Sequence, residues 1–180
     1  MSKKVLVLEG SPRKKGNTDL LSDQFIRGAR EAGHEVEKVY LQDKKINYCV
    51  DCEACQKNGG ICVQKDDFAE ICKKIVACDV LVLASPVYFY SVTAQMKTLI
   101  DRAYSAHQLV SGKECYFLTA GAGPEERYFQ TVIDTYHGFI RCFPDMKDAG
   151  IVLGIGAQSK GSIEGTSAME QAHEMGRSIL

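Results

Sequence analysis

The chain predicts a doubly wound α/β domain: one parallel sheet with helices on both faces. Strand and helix patterns alternate five times along 180 residues. Several strand candidates are short and apolar throughout, as strands buried on both faces are. The first such run stops at Gly10 and the third at Pro86. Alternation of this kind needs crossover helices, and crossovers make neighbouring strands parallel. In such a sheet, ligands sit beyond the carboxyl ends of the strands, near the switch in strand order.

"KKVLVLEG" at 3–10 reads as the first buried strand. "TDLLSDQFIRGAREAG" follows, with Leu20, Leu21, Phe25, Ile26 and Ala29 at helical spacing and Gly33 as its stop. "HEVEKVYL" alternates like a second strand, and residues 43–66 are irregular. "DDFAEICKKIVAC" returns to helical period, with Asp66 or Asp67 as its cap. "DVLVLASP" is a buried strand, "VTAQMKTLIDRAYSA" a helix and "KECYFLTAG" a strand. "PEERYFQTVIDTYHGFIRCF" reads as a helix with Pro124 near its first turn. "DAGIVLGIG" and "SAMEQAHEMGRSIL" supply the last strand and helix. There is no internal repeat or linker, so residues 1–180 read as one domain with a cysteine-rich loop at 46–66.

Composition narrows the function classes. A formal net charge of −1 leaves no surplus of Lys and Arg to neutralise phosphates, which argues against nucleic acid as the partner. The apolar run before Glu9 is too short for a signal segment or a membrane span, so a cytoplasmic protein without a membrane partner is expected. That compartment keeps thiols reduced, and the eight cysteines need a reading other than disulfides.

Three loops lie where a ligand is expected: 9–18, 85–92 and 120–126. The first, "GSPRKKGNT", is not a Walker loop, because Asn17-Thr18 follows Gly16 where Lys-Ser/Thr is required. It also lacks the G-x-G-x-x-G of a dinucleotide turn, and "GAG" at 121–123 is only a partial match at the fourth strand. Ser11, Asn17 and Thr18, with Arg13 nearby and a helix N-terminus behind them, suit a single terminal phosphate. The plainer alternative is that Asn17 and Thr18 only cap the helix. The second loop, "SPVYFYSVTAQMKTLIDR", sets Tyr88, Phe89 and Tyr90 at a strand end, a flat wall for a planar ring. Its plainer alternative is a cover over the core or a subunit contact.

Together these two motifs resemble the NAD(P)H-dependent FMN reductase group of the flavodoxin-like superfamily. The resemblance runs nearly the whole chain, through "LGIGAQSKGSIEGTSAMEQAHEMG". It implies a three-layer sandwich with a five-stranded sheet in the order 2-1-3-4-5. It implies FMN held non-covalently, with Ser11, Arg13, Asn17 and Thr18 on the phosphate. Pro86, Val87, Tyr88, Phe89 and Tyr90 would line the isoalloxazine with Ser91 beside them, and Ala120, Gly121 and Ala122 would close its other side. It also implies a homodimer or homotetramer with flavin sites at subunit contacts.

"CVDCEACQKNGGIC" sets Cys49, Cys52, Cys55 and Cys62 in a C-x2-C-x2-C-x6-C run. Thiolates so spaced can converge on one cluster. The run is similar to that of the iron–sulfur flavoproteins, relatives of the FMN reductases, which implies a 4Fe–4S cluster near the flavin. The last gap is longer than expected there and no proline follows Cys62, so unligated thiols and zinc stay open. Cys72, Cys78, Cys115 and Cys142 read as small buried hydrophobes.

No catalytic acid or base is expected, because flavin accepts hydride itself and the protein orients it. His107, His137 and His173 read as packing or surface residues. The expected function is an FMN oxidoreductase that moves electrons from NAD(P)H to a quinone, flavin or similar small acceptor. The alternatives are an FMN electron carrier, with or without a cluster, and a flavin-free interaction domain.

Overall fold

The computed structural model describes residues 1–180. Five parallel strands form one sheet: β1 (Lys4–Glu9), β2 (Glu35–Tyr40), β3 (Val80–Ala84), β4 (Glu114–Ala120) and β5 (Lys147–Gly154), in the order β2-β1-β3-β4-β5. This is the expected 2-1-3-4-5 sheet, and its order reverses between β1 and β3. Six α-helices accompany it: α1 (Asn17–Glu31), α2 (Ala54–Lys57), α3 (Phe68–Ala77), α4 (Ala94–Ala103), α5 (Gln130–Arg141) and α6 (Ser167–Arg177).

Strand alternation sorts the apolar side chains into two cores. Val5 and Val7 of β1, with Val80 and Val82 of β3, pack on Leu21 and Phe25 of α1 and Ala168 and Ala172 of α6. Leu6, Leu8, Leu81 and Leu83 point the other way, onto Ile71 and Ile75 of α3, Met96 and Leu99 of α4, and Tyr136 of α5. Both faces are therefore covered, which is why β3 is apolar at every position and β1 from Val5 to Leu8. Helices α1 and α6 touch backbone to backbone. A Cβ on Gly28 would overlap the His173 carbonyl oxygen, and one on Gly176 would overlap that of Phe25.

Two open choices are resolved and two local expectations need correction. Gly16, not Asn17 or Thr18, precedes the first turn of α1, and no side chain caps that helix. Asp66, rather than the boundary residue Asp67, accepts the Phe68 N–H at 3.1 Å. Pro124 lies outside any helix: a 3-10 turn at Glu126–Phe129 comes first, and α5 begins only at Gln130. Of the four outlying cysteines, Cys78 and Cys115 are buried, but Cys72 is half-buried and Cys142 is exposed. Burial pushes the Cys78 thiol up to about 11, and the Cys115 thiol still higher, so both stay protonated at neutral pH.

Candidate active site

The turns after β1, β3 and β4 meet at one rim of the sheet, beside the reversal of strand order. Three backbone bonds set their spacing: Gly10 N–H to Ala84 O at 2.7 Å, Val87 N–H to Ala120 O at 2.9 Å and Gly121 N–H to Gly154 O at 3.1 Å. Thr93 adds a fourth tie, since its hydroxyl donates to Gly10 O at 2.8 Å and accepts the Met96 N–H of α4.

A cavity of about 140 Å³ opens between these turns. Ser11, Arg13, Asn17 and Thr18 line it from the first turn, Pro86, Val87 and Tyr88 from the second, and Ala120, Gly121 and Ala122 from the third. A second cavity of about 330 Å³ shares Val87, Gly121 and Ala122 with it, and Phe89 and Tyr90 belong there. Ser91 lines neither. It closes the turn instead, exchanging hydrogen bonds with Tyr88 at 2.8 and 3.0 Å.

The end of the smaller cavity next to α1 has the chemistry of an anion site. Helix α1 begins uncapped, so its first-turn N–H groups and the positive end of its dipole stand at the cavity. The Thr18 hydroxyl is buried and has no hydrogen-bond partner. A buried hydroxyl left unpaired costs about 1–3 kcal/mol, and a phosphate oxygen would relieve it. Ser11 lies beneath, with its hydroxyl accepting the Arg13 N–H at 3.2 Å. Asn17 is in place, but its side chain bonds the 157–163 segment. Under the loop, Glu9 is fully buried and accepts from Ser22 Oγ at 2.6 Å and Ser11 N at 2.9 Å. Burial lifts its carboxyl to about 7 against those two bonds and the charge of Lys38.

At the ring end, Phe89 and Tyr90 have φ of +50° and +62°. Positive φ at both centres of a four-residue turn is the type I′ pattern, which favours Asn-Gly and strains bulky residues. In this turn Phe89 is wholly exposed, while Tyr90 stacks on Tyr128 at 6.3 Å.

Sequence reasoning missed Gln158 and Lys160, which line the phosphate cavity from the loop after β5, and Tyr128, which walls the ring cavity. A strand-end loop rich in Gly and Ser was the available signal for the first two.

Cys49, Cys52, Cys55 and Cys62 all line a third cavity of about 30 Å³, together with Arg102 and Ser105. Cys49 and Cys52 are exposed, and Cys55 and Cys62 are half-buried. No three Cys, His, Asp or Glu side chains stand together as a metal-holding group. The four thiols therefore face one cavity without forming a ligand set. The histidines weighed from the sequence are engaged at the surface: His173 with Glu31 at 2.8 Å and His137 with Asp148 at 3.0 Å. His107 bonds the Tyr104 carbonyl at 2.9 Å. No helix is long and apolar enough to cross a membrane.

Strand order and rim geometry together define a flavodoxin-like domain with a groove where three strand-end turns meet. The family model described as NADPH-dependent FMN reductase matches residues 3–131, and the chain belongs to that family. It is 44% identical over 128 residues to an iron-sulfur flavoprotein of Archaeoglobus fulgidus, covering 68% of this chain and 58% of that one. It is 31% identical over 140 residues to an iron-sulfur flavoprotein of Methanosarcina thermophila, covering 74% and 73%. The chain spans little more than half the length of the first of these relatives. Among solved structures, an azoreductase of Bacillus anthracis superposes with a TM-score of 0.80 at 16% identity, over 99% of this chain and 100% of that one.

Proposed function

We propose that this chain binds FMN in the rim groove and moves electrons from NAD(P)H to a quinone, flavin or similar small acceptor. The observation that carries the reading is the buried, unpartnered Thr18 hydroxyl at the uncapped start of α1. FMN, when bound, supplies the hydride-accepting chemistry. The chain's own part is to bind and orient. Thr18, Ser11 and the α1 N–H groups hold the phosphate, with Arg13 as counter-charge. Pro86, Val87 and Tyr88 flank one side of the ring, and Ala120, Gly121 and Ala122 the other. Phe89 and Tyr90, with Tyr128, offer an aromatic floor for a flat acceptor. A cytoplasmic homodimer or homotetramer belongs to the same reading, and the fully exposed Phe89 ring supports such a contact.

The test is anaerobic. Purified protein is loaded with FMN and mixed with NADH or NADPH. Fast loss of the yellow absorbance, followed by its return on adding a quinone, is expected. Flavin that neither nucleotide bleaches would contradict the enzyme.

One observation favours a second reading. The C-x2-C-x2-C-x6-C run around one cavity favours an electron carrier lacking a small substrate; a 4Fe–4S centre there would need Cys49, Cys52, Cys55 and Cys62 to draw together, since they do not stand as a ligand set. The same bleaching experiment separates the two.

A further inference from the structure

Asn17 opens α1, and its side chain reaches across to the 157–163 segment. Its amide nitrogen donates to the carbonyl oxygens of Ala157 at 3.1 Å and Ser159 at 2.8 Å. Its amide oxygen accepts the Gly161 N–H at 2.9 Å. Two carbonyls on one end and an N–H on the other fix the orientation of the amide. Gly161 takes a φ of +84° at this point, a conformation other residues adopt only under strain. One side chain thus ties down a segment about 140 positions away in sequence.

That segment carries Lys160 into the lining of the cavity that Thr18 and Arg13 also line. Arg13 and Lys160 are the cations that line this cavity; Lys15 does not line it, Lys14 pairs with Asp43, and Lys38 with Asp19 and Asp23. Lys160 and Arg13 have no acidic partner. A phosphomonoester carries close to two negative charges at neutral pH, more than one helix end and one arginine balance.

We infer that Asn17 is a positioning residue that latches the 157–163 segment over the phosphate cavity, and that Lys160 on this segment is a second cation for the phosphomonoester. The inference rests on the FMN reading and deepens it. Asn17 then acts on the phosphate through Lys160, with its own amide fully engaged.

The test is equilibrium titration of apoprotein with FMN and with riboflavin, which lacks the phosphate. Lys160→Gln should weaken FMN about three- to tenfold and leave riboflavin unchanged. Asn17→Ala should weaken FMN by at least as much. Adding Lys160→Gln to it should then cost nothing further, because the lysine is no longer held in place. Trypsin supplies a readout without flavin: Asn17→Ala apoprotein should be cut after Lys160 faster than wild type. Losses that multiply in the double variant, equal weakening of riboflavin, or unchanged cleavage would each overturn the inference. Wild-type protein that takes up neither flavin would instead sink the cofactor reading and the lysine's role with it, while the trypsin comparison still decides the latch.

Discussion

Arg102 and Asp66 meet as a two-point ion pair, with guanidinium nitrogens 2.7 and 3.1 Å from the two carboxylate oxygens and side chains only 1% and 5% exposed. The same guanidinium donates to Asn47 O at 2.7 Å, and Asp66 accepts the Asn47 N–H at 2.9 Å. Both ends of the cysteine segment are therefore pinned to α4, the helix that Thr93 ties to the β1 turn at its other end. Breaking a buried pair from one side leaves a bare charge, so Asp66→Asn should cost about 3–5 kcal/mol in urea unfolding. Arg102→Met combined with Asp66→Leu should cost clearly less than the sum of the two single changes. Burial alone would raise the Asp66 carboxyl, but Arg102 and the N–H groups of Asn47 and Phe68 hold it below the usual range. The pair's contribution is then complete above about pH 4 and fades as pH falls through the lower folded value.

Thr18→Val should act in opposite directions on the free and loaded protein. It removes a buried hydroxyl without a partner, so the apoprotein should gain about 1 kcal/mol in thermal or urea unfolding. It should weaken FMN by about 0.5–3 kcal/mol and leave riboflavin alone. Unchanged FMN affinity would count against the phosphate assignment.

Glu9→Gln should stabilise the protein more at pH 8 than at pH 5. The folded carboxyl sits near 7, above its unfolded value, so ionising it in the fold is unfavourable. That penalty is absent below about pH 4, grows with pH, and is complete once the folded value is passed. The groups that face it are Ser22, the Ser11 N–H, Lys38 and Asp19. Unfolding curves at the two pH values measure the difference. Equal gains at both would show that the carboxyl does not titrate there.

The turn after β3 trades stability for placement. Phe89→Asn with Tyr90→Gly fits both positive φ values, so the melting temperature should rise by the equivalent of about 1–2 kcal/mol. Quinone reduction should slow, because the aromatic floor is gone. A more stable variant with undiminished quinone turnover would remove that role.

Cys52→Ser addresses the thiol cavity. If the second reading holds, iron measured after anaerobic purification should fall to background while flavin content holds. Equal iron in both proteins would discard the cluster.

A parallel sheet covered on both faces was readable, because Val5, Leu6, Val7 and Leu8 form an unbroken apolar run; its strand order came only with the family resemblance. The rim residues of the three turns were readable as a group, since Thr18 and Tyr88 lie where strand ends must converge. Asn17 was readable as a site residue, but the direction of its amide was not. That direction depends on carbonyls about 140 positions downstream, and no local pattern records it. Lys160 escaped although its Gly- and Ser-rich strand-end loop was a signal, because its place at the cavity depends on that same distant tie. Tyr128 looked helical, yet the 3-10 turn before α5 aims it at Tyr90. Cys142 looked buried beside Phe139 and Phe143, but it falls on the outer side of the helix end.

The central claim is that three turns at one rim hold FMN by its phosphate. Crystals grown with saturating FMN test it most directly. The account predicts a phosphate oxygen within hydrogen-bond reach of the Thr18 hydroxyl and a ring between Pro86–Tyr88 and Ala120–Ala122. Only water between those turns at saturating FMN, or a flavin bound elsewhere, would contradict it.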